Sequence, residues 1–353
     1  MNFLKISLYG DFNDNVFVKE GGFLMGRRLK ILVLIKPFWR FPNHQPKMDM
    51  IKALEEYADV YYWYKNGHIQ NILKQLKIKP DFIFHYDISW NYSLAPNVHG
   101  LEDIDILKGC YVIDLHWEPE QRIKYFKKNK IDLIFSATKN PFLNVFPQFK
   151  EKMSWLPWAI NPKVMKDWRL EKSIDYLLMG LTYVDKKNQG RFPLPKKIPP
   201  KGRYLFRDTV FKKMKNEPGF MFHPHPGHRT SISSFVNDRY AKELNQSKIF
   251  FTCGSRSKTG GVAVLKFFEA PACKTLLLAE RNKDIDDLGF KDGENYIACT
   301  TENFLKKAKY YLKHSKEREK VTENAYKFIH KNHTNQHRAK QLIRVIEKQL
   351  YKH

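Results

Sequence analysis

The chain has 353 residues, of which 62 are Lys or Arg and 37 are Asp or Glu, for a net charge of +25. That length exceeds one hydrophobic core and favours two domains, and a 42% hydrophobic, 14% aromatic composition excludes a disordered chain. The charge calls for anionic partners, with nucleic acid, anionic lipid and phosphorylated small molecules all qualifying, although lysines that solvate helix faces account for part of it.

Residues 1–24 do not fit a strand–helix rhythm and read as an N-terminal extension or as a strand pair laid on a sheet edge. From Leu29 short apolar runs alternate with amphipathic stretches, the pattern of βα units feeding a parallel sheet. LKILVLIK reads as the first strand and MDMIKALEEYA as a helix, with Met48, Ile51, Leu54 and Tyr57 at helical spacing. DVYYWY, DFIFHYD, CYVIDLH, IDLIFSA and MSWLPWA follow as strands, and HIQNILKQLK, LEDIDILK and EPEQRIKYFKK as helices. About six strands in a doubly wound sheet place ligands at the strands' carboxyl ends, where Asp87, Asp114 and His116 fall.

The polar stretch Asn161 to Ser173, which contains Pro162, suits a linker, placed at 163–173. A second series then repeats the pattern. IDYLLMGL, GFMFHP, KIFFTC, TLLLAE and ENYIACT read as strands, and YLFRDTVFKKM, VNDRYAKELNQ and VAVLKFFEAPA as helices. The domain plan is thus 1–24, 25–162, 163–173, 174–333, and a last helical segment, 334–353, that packs back toward the first domain. Thr301 to His353 contain three helical stretches with Lys and Arg on their outer faces.

Cys110, Cys253, Cys273 and Cys299 form no CxxC pair and no Cys/His cluster at zinc spacing, so they read as reduced core thiols. No apolar run reaches the roughly 18 residues of a membrane span, and MNFLKISLYGDFND lacks the apolar centre of a signal peptide. These features point to the cytoplasm, with anionic membrane as a peripheral partner.

The chemistry is expected in GSRSKTGGVAVLKFFEAPACKTLLLAE, Gly254 to Glu280, where a strand runs into a Gly/Ser-rich basic loop that opens a helix. Gly260 and Gly261 let backbone N–H groups approach a diphosphate, the helix start adds partial positive charge, and Arg256 and Lys258 neutralise oxygens. An ordinary turn with solvated basic residues is the alternative. Glu269 sits in that helix among Phe267, Phe268, Ala270 and Ala272, where a carboxylate is costly unless paired. Either a ligand's hydroxyl pair or Lys266, three residues earlier on the same face, meets that need.

KFFEAPACKTLLLAE, the DGENYI strand and the run FLKKAKYYLKHSKEREKVTENAYKFIHKNHTNQHRAKQLI resemble the C-terminal half of spore-maturation CgeB-like glycosyltransferases, in the wider glycosyltransferase group 1-like set. YAKELNQSKIFFTCGS upstream is similar too, and PDFIFHYD, CYVIDLH, IDLIFSAT and WLPWAINP keep the family's order. The resemblance is strong from Arg239 to Ile346 and weaker before it. It implies the GT-B fold: two Rossmann-like doubly wound domains facing a central cleft, with C-terminal helices. It further implies an acceptor on the first domain, a nucleotide diphosphate sugar on the second, and Glu269 holding the donor ribose hydroxyls. Retaining members often carry another Glu eight positions earlier, near the transferred sugar; this chain has Gly261 there. Retention is nevertheless the course the resemblance implies.

In GFMFHPHPGHRT, prolines fix His223, His225 and His228 on a stiff turn at a strand end, and the turn resembles those by which some GT-B transferases hold donor phosphates. Zinc and a purely structural turn are the alternatives. Asp114, His116 and Glu118 lie at and beyond a first-domain strand end; His116 has the pKa to take a proton from an acceptor hydroxyl, with Asp114 orienting it or capping the next helix. Trp117, Trp155 and Trp158 offer aromatic faces to sugar rings, though such residues are more often core. Arg203 and Arg207 open a helix from which Arg207 reaches toward the diphosphate, a solvated helix face being the default.

The expected reaction is glycosyl transfer without metal or cofactor, the nucleotide sugar being a co-substrate, since basic groups carry the leaving charge and no DxD-like pair is present. The rivals are transfer of another phosphate-linked group on this scaffold, and nucleic-acid binding supported by KKAKYYLKH, a stretch that reads equally as an amphipathic helix near anionic lipid.

Overall fold

The computed structural model describes residues 27–37, 44–184, 202–225, 236–256 and 260–352. The expected extension over 1–24 lies outside the described residues, as do Pro226, His228 and Lys258.

The first half runs β1 (Leu29–Leu34), α1 (Gln45–Lys52), β2 (Ala58–Trp63), β3 (Gly67–His68), α2 (Ile69–Leu76), β4 (Phe82–His85), β5 (Val98–His99), β6 (Leu107–Val112), α3 (Pro119–Lys128), β7 (Leu133–Ser136), α4 (Asn140–Val145) and β8 (Met153–Trp155). The second runs β9 (Ile174–Gly180), α5 (Leu205–Met214), β10 (Phe220–Pro224), α6 (Asn237–Gln246), β11 (Ser247–Thr252), β12 (Ser255–Arg256), β13 (Gly260–Gly261), α7 (Lys266–Ala272), β14 (Leu276–Ala279), α8 (Lys283–Asp287) and β15 (Ile297–Ala298). Three helices close the chain: α9 (Phe304–Lys313), α10 (Ser315–Asn332) and α11 (Asn335–Leu350).

Two parallel sheets result. Their orders are β2-β1-β4-β6-β7-β8 and β10-β9-β11-β14-β15, with every ladder in both sheets parallel. A parallel strand covered on both faces reads as a continuous apolar run, and Lys30 is the single exposed residue of β1. Alternate residues of β1 then enter opposite cores. Leu29, Ile31 and Val33 pack with α1 and α11, whereas Leu32 and Leu34 pack with Ile69 and Ile72 of α2. The second sheet does the same: Leu277 joins Leu244 and Phe267 on one face, and Leu276 and Leu278 join Val210, Phe211 and Phe304 on the other.

In each sheet the strand order reverses once, between β1 and β4 and between β9 and β11, and ligands of such sheets enter beyond the carboxyl ends at these points. A buried ion pair organises the first of them. Arg122 of α3 and Asp87, just past β4, are both about fully buried and bond in a bidentate manner at 2.7 and 2.8 Å. Asp87 also accepts from the backbone N–H of Ser89 and Ile113, and Arg122 donates to the carbonyls of Asp114 and Trp117. One pair therefore fixes the loops after β4 and β6.

The chain crosses between the halves twice, and the crossings are zipped together. Ile160 N donates to His333 O at 3.0 Å and Asn335 N to Ile160 O at 2.9 Å. Past the second crossing α11 lies on the first domain, burying Ala339, Leu342, Ile343 and Ile346 in its core, while Arg338 donates to Pro157 O and Gln341 to Trp155 O. A third tie lies on the other side: Asp284 of α8, fully buried, accepts from the backbone N–H of Lys139 and Asn140 at the start of α4. It replaces the intrahelical partners those N–H groups lack.

Several sequence expectations need correction. LEDIDILK is not a helix: Leu101–Asp103 make one 3-10 turn and β6 already begins at Leu107. The strand read in CYVIDLH ends at Val112, which leaves Asp114 and His116 in the loop beyond it. VAVLKFFEAPA is helical only from Lys266, and Pro271 inside α7, lacking an N–H, keeps it to seven residues. ENYIACT pairs only over Ile297–Ala298.

Removing one partner of a buried pair strands the other charge, so Asp87→Ala is expected to cost about 3–5 kcal/mol. Urea unfolding checks this, and the apolar double variant Asp87→Leu/Arg122→Met should recover most of the loss.

Candidate functional site: the switch point of the second sheet

Arg207 lies in the first turn of α5 with only 5% of its surface exposed. Its Nη2 donates to Cys253 O, just past β11, at 3.1 Å. A Cβ added to Gly180, the last residue of β9, would lie 2.9 Å from its Nη1. The guanidinium is thus wedged between the ends of the two strands that define the switch point, and Gly180, at φ +142, is what admits it. Tyr204 stacks on it at 4.1 Å. Among the described residues its Nε is buried without a hydrogen-bond partner, as are Thr182 Oγ1 after β9 and Thr252 Oγ1 at the end of β11.

Arg203 has a structural duty instead. It bonds Asp208 and the carbonyl of Tyr183, tying the loop after β9 to the first turn of α5.

Glu269 of α7 is 5% exposed and accepts from Tyr240 Oη at 3.2 Å. Burial pushes its carboxyl pKa up, opposed by the charge of Lys266 and by the Tyr240 bond. Burial likewise pushes the Lys266 ammonium down, opposed by Glu269 and reinforced by Arg207. Lys266 acts on Glu269 through charge rather than a direct hydrogen bond, so the expected structural pairing of the two is not a contact pair. Burial also raises Glu280, past the end of β14, against the pull of Arg207.

Glu269 looks into a cavity between the halves, lined with it by Pro46, Asp49, Asn161, Asn237 and Leu265. Its volume of about 20 Å³ has room for a water and not for a ribose.

The Gly-rich segment differs from the expected cradle. Gly260 and Gly261 form β13, paired antiparallel with Ser255 and Arg256 of β12, and four residues separate them from α7. The glycines serve close packing: a Cβ on Gly254 would meet Val262 O at 1.8 Å, and one on Gly261 would meet Asn282 Cβ at 2.3 Å. They do not sit at a helix start. The side chain of Arg256 and all of Lys258 lie outside the described residues.

His223, on the edge strand β10, has a protein partner. Its Nε2 faces the Glu243 carboxylate of α6, which joins an edge strand to a helix. Pro224 next to it fits an edge, where the absent N–H breaks no interior ladder. His225 is half-buried beyond the strand. Among the described residues no group of His, Cys, Asp and Glu is arranged to hold a metal.

Across from Arg207, the first-domain switch point carries Asp114, half-buried, and His116, exposed, in the loop that Arg122 fixes. Asp114 does not cap α3; its N-cap is Glu118, at φ +34 and without a side-chain cap bond. Trp117 is buried under Arg122, and Trp155 and Trp158 are half-buried against the cores. Lys47 was missed by the sequence reading. Burial lowers its pKa while Asp114 and Asp87 pull it up, which places its charge among the first-domain carboxylates. Lys47 falls inside a helical stretch of ordinary pattern, so only the fold brings it to Asp114.

A larger surface concavity at the amino ends of the first sheet, lined by Arg27, Arg28, Lys30 and Lys79 with Asp59 and Asp81, is built from charges that already pair: Arg27 with Asp81 and Arg28 with Asp59.

Residues 207–344, which contain Arg207, Lys266 and Glu269, match a family model described as glycosyl transferase-like. Solved structures share the fold over nearly the whole chain. A glycosyltransferase from Rickettsia africae ESF-5 aligns with a TM-score of 0.58 at 11% identity, over 92% of this chain and 99% of that one. Sucrose-phosphate synthase from Thermosynechococcus elongatus aligns at 0.58 and 9%, over 93% and 100%, and Anabaena HepE in complex with UDP-glucose at 0.50 and 10%, over 92% and 99%. The fold is GT-B. No curated protein sequence matches the chain at a significant level.

The raised Glu269 pKa has a sign that can be tested. The folded protein keeps this proton at pH values where the unfolded chain, at the ordinary 4.5, has lost it. Its stability contribution is therefore complete below 4.5 and is lost as pH rises through the folded value. Glu269→Gln does not titrate. The unfolding free energy of wild type minus that of Glu269→Gln, measured in urea from pH 4.5 upward, should fall with pH.

Proposed function

We propose that the protein is a glycosyltransferase of the CgeB-like kind, moving a sugar from a nucleoside diphosphate sugar to an acceptor hydroxyl of a glycan, lipid-linked saccharide, protein or other molecule. One observation carries the reading: at the β9/β11 switch point of a GT-B fold the buried Arg207 guanidinium bonds a carbonyl and, among the described residues, no carboxylate, and its Nε and the hydroxyls of Thr182 and Thr252 at the ends of these strands have no hydrogen-bond partner there. Polar groups left so are costly in a core. A diphosphate at the strand ends satisfies them.

In this reading Arg207 and Lys266 receive the diphosphate, and Arg256, Lys258, Gly260, Gly261, His223 and His225 belong to the same donor region. Glu269 accepts hydrogen bonds from the ribose hydroxyls. As the glycosidic C–O bond breaks, negative charge builds on the diphosphate, and fixed cations that need no reorganisation stabilise it. His116 accepts the proton of the attacking hydroxyl, with Asp114 orienting it and Lys47 holding the local charge near balance. Retention of anomeric configuration, independence of metal and cofactor, a cytoplasmic site of action and peripheral contact with anionic membrane complete the proposal. No helix among the described residues is long and apolar enough to cross a membrane.

A thermal-shift panel of nucleoside diphosphates and their sugars tests the donor class, since a ligand of the folded state alone raises apparent stability. With the best ligand, Arg207→Met should weaken binding about 10- to 150-fold, the worth of a charge-assisted hydrogen bond of about 1.5–3 kcal/mol. An equal loss for uncharged nucleosides would refute the phosphate contact. Turnover should persist in excess EDTA; its loss, restored by a divalent ion, would overturn the metal-independent reading.

A further inference from the structure

Asn282 lies just beyond the end of β14, and its two amide atoms have different fates. Oδ1 accepts from Ile285 N at 3.1 Å and caps α8. Nδ2 is buried and has no hydrogen-bond partner among the described residues. Exchanging the two atoms does not resolve this, because an NH2 group cannot accept from the Ile285 N–H. The cap fixes which end is the donor.

A buried donor pair left unbonded is a standing cost. Capping alone is met equally well by Asp or Ser, neither of which buries an N–H. Gly261 shows that the neighbourhood is shaped around this amide: a Cβ there would lie 2.3 Å from Asn282 Cβ and 3.5 Å from Nδ2. The side-chain space of position 261 belongs to the Asn282 carboxamide.

The location narrows the ligand. In the order β9-β11-β14, Asn282 stands one strand beyond Arg207, at the same carboxyl end. Two residues on, Asp284 holds the start of α4 in the first domain. A donor spanning this edge has its diphosphate at Arg207 and its transferred sugar toward the first domain, beside Asn282.

We propose that Asn282 Nδ2 is a specificity-determining contact to the transferred sugar, donating to a hydroxyl or ring oxygen of the pyranose. Contact requires β13 to move off the amide, and only a glycine packs there. The inference rests on the nucleotide-sugar reading above.

The probes are UDP-glucose with UDP and GDP-mannose with GDP, titrated calorimetrically, taking the pair whose nucleoside diphosphate binds. Asn282→Asp keeps the cap and removes the donor; Asn282→Ser keeps the cap with a shorter side chain. Both should retain the wild-type melting temperature within a few degrees and bind the diphosphate within about twofold. Their affinity for the nucleotide sugar should drop by about 5- to 150-fold, the value of one buried hydrogen bond. Equal losses for sugar and diphosphate, or no loss for either, would overturn the contact. So would a wild type that binds the nucleotide sugar no better than the diphosphate. A wild type that binds neither pair defeats the nucleotide-sugar reading itself, a result distinct from a failure of Asn282.

Discussion

The carboxyl end of a parallel sheet leaves a cation there two ways to be satisfied, by a carboxylate of the protein or by a ligand, and the two domains take opposite courses. Arg122 in the first domain is matched by Asp87 in a buried pair; its Nη1 reaches the carbonyls of Asp114 and Trp117, and its Nε, like that of Arg207, has no hydrogen-bond partner among the described residues. That switch point is electrostatically closed. Arg207 in the second domain reaches one carbonyl and an aromatic face, keeps an unpartnered Nε, and feels Glu280 only at a distance. The similar scaffolds thus differ in whether a carboxylate of the protein, among the described residues, pairs with the buried guanidinium.

This asymmetry gives the crossings their purpose. The zipped backbone at Ile160 and Asn335 and the return of α11 onto the first core make a hinge whose axis is fixed by hydrogen bonds and apolar packing. The Asp284 tie to α4 is of another kind, a buried carboxylate that accepts from two part-buried N–H groups at the helix start and from the Asn140 amide.

Much of this was legible beforehand because apolar runs of four to seven residues, spaced by amphipathic stretches, admit few folds other than stacked βα units. Burial of β1, β4, β9 and β14 on both faces is the physical content of LKILVL, FIFH, IDYLLMG and LLLA. Glu269 was found for a sound reason, a carboxylate among Phe and Ala, and its burial is real. What failed was local. GSRSKTGG reads as a loop opening the helix VAVLKFFEAPA, but glycines permit close antiparallel pairing as readily as an anion cradle, and the clash distances at Gly254 and Gly261 are set by Val262 and Asn282. LEDIDILK was read as a helix because its period is compatible with one; the strand at Leu107 prevailed through its register with β4 and β7. Lys47, Asn282 and the role of Asp284 had no sequence signal, since each depends on a partner distant in the chain or on a partner it lacks.

The net charge of +25 belongs to a different scale from the site. Exposed lysines on α9, α10 and α11 act through water and are screened beyond about 8–10 Å at ordinary ionic strength, so they draw anions toward the protein without selecting among them. The groups around β9, β11 and β14 are buried, and there two cations, Arg207 and Lys266, stand near two carboxylates, Glu269 and Glu280, that burial has already pushed toward their neutral forms. Charge–charge interactions among such groups exceed their value in water. Selection is a property of those few side chains, and the surplus charge governs only how often a ligand comes near them.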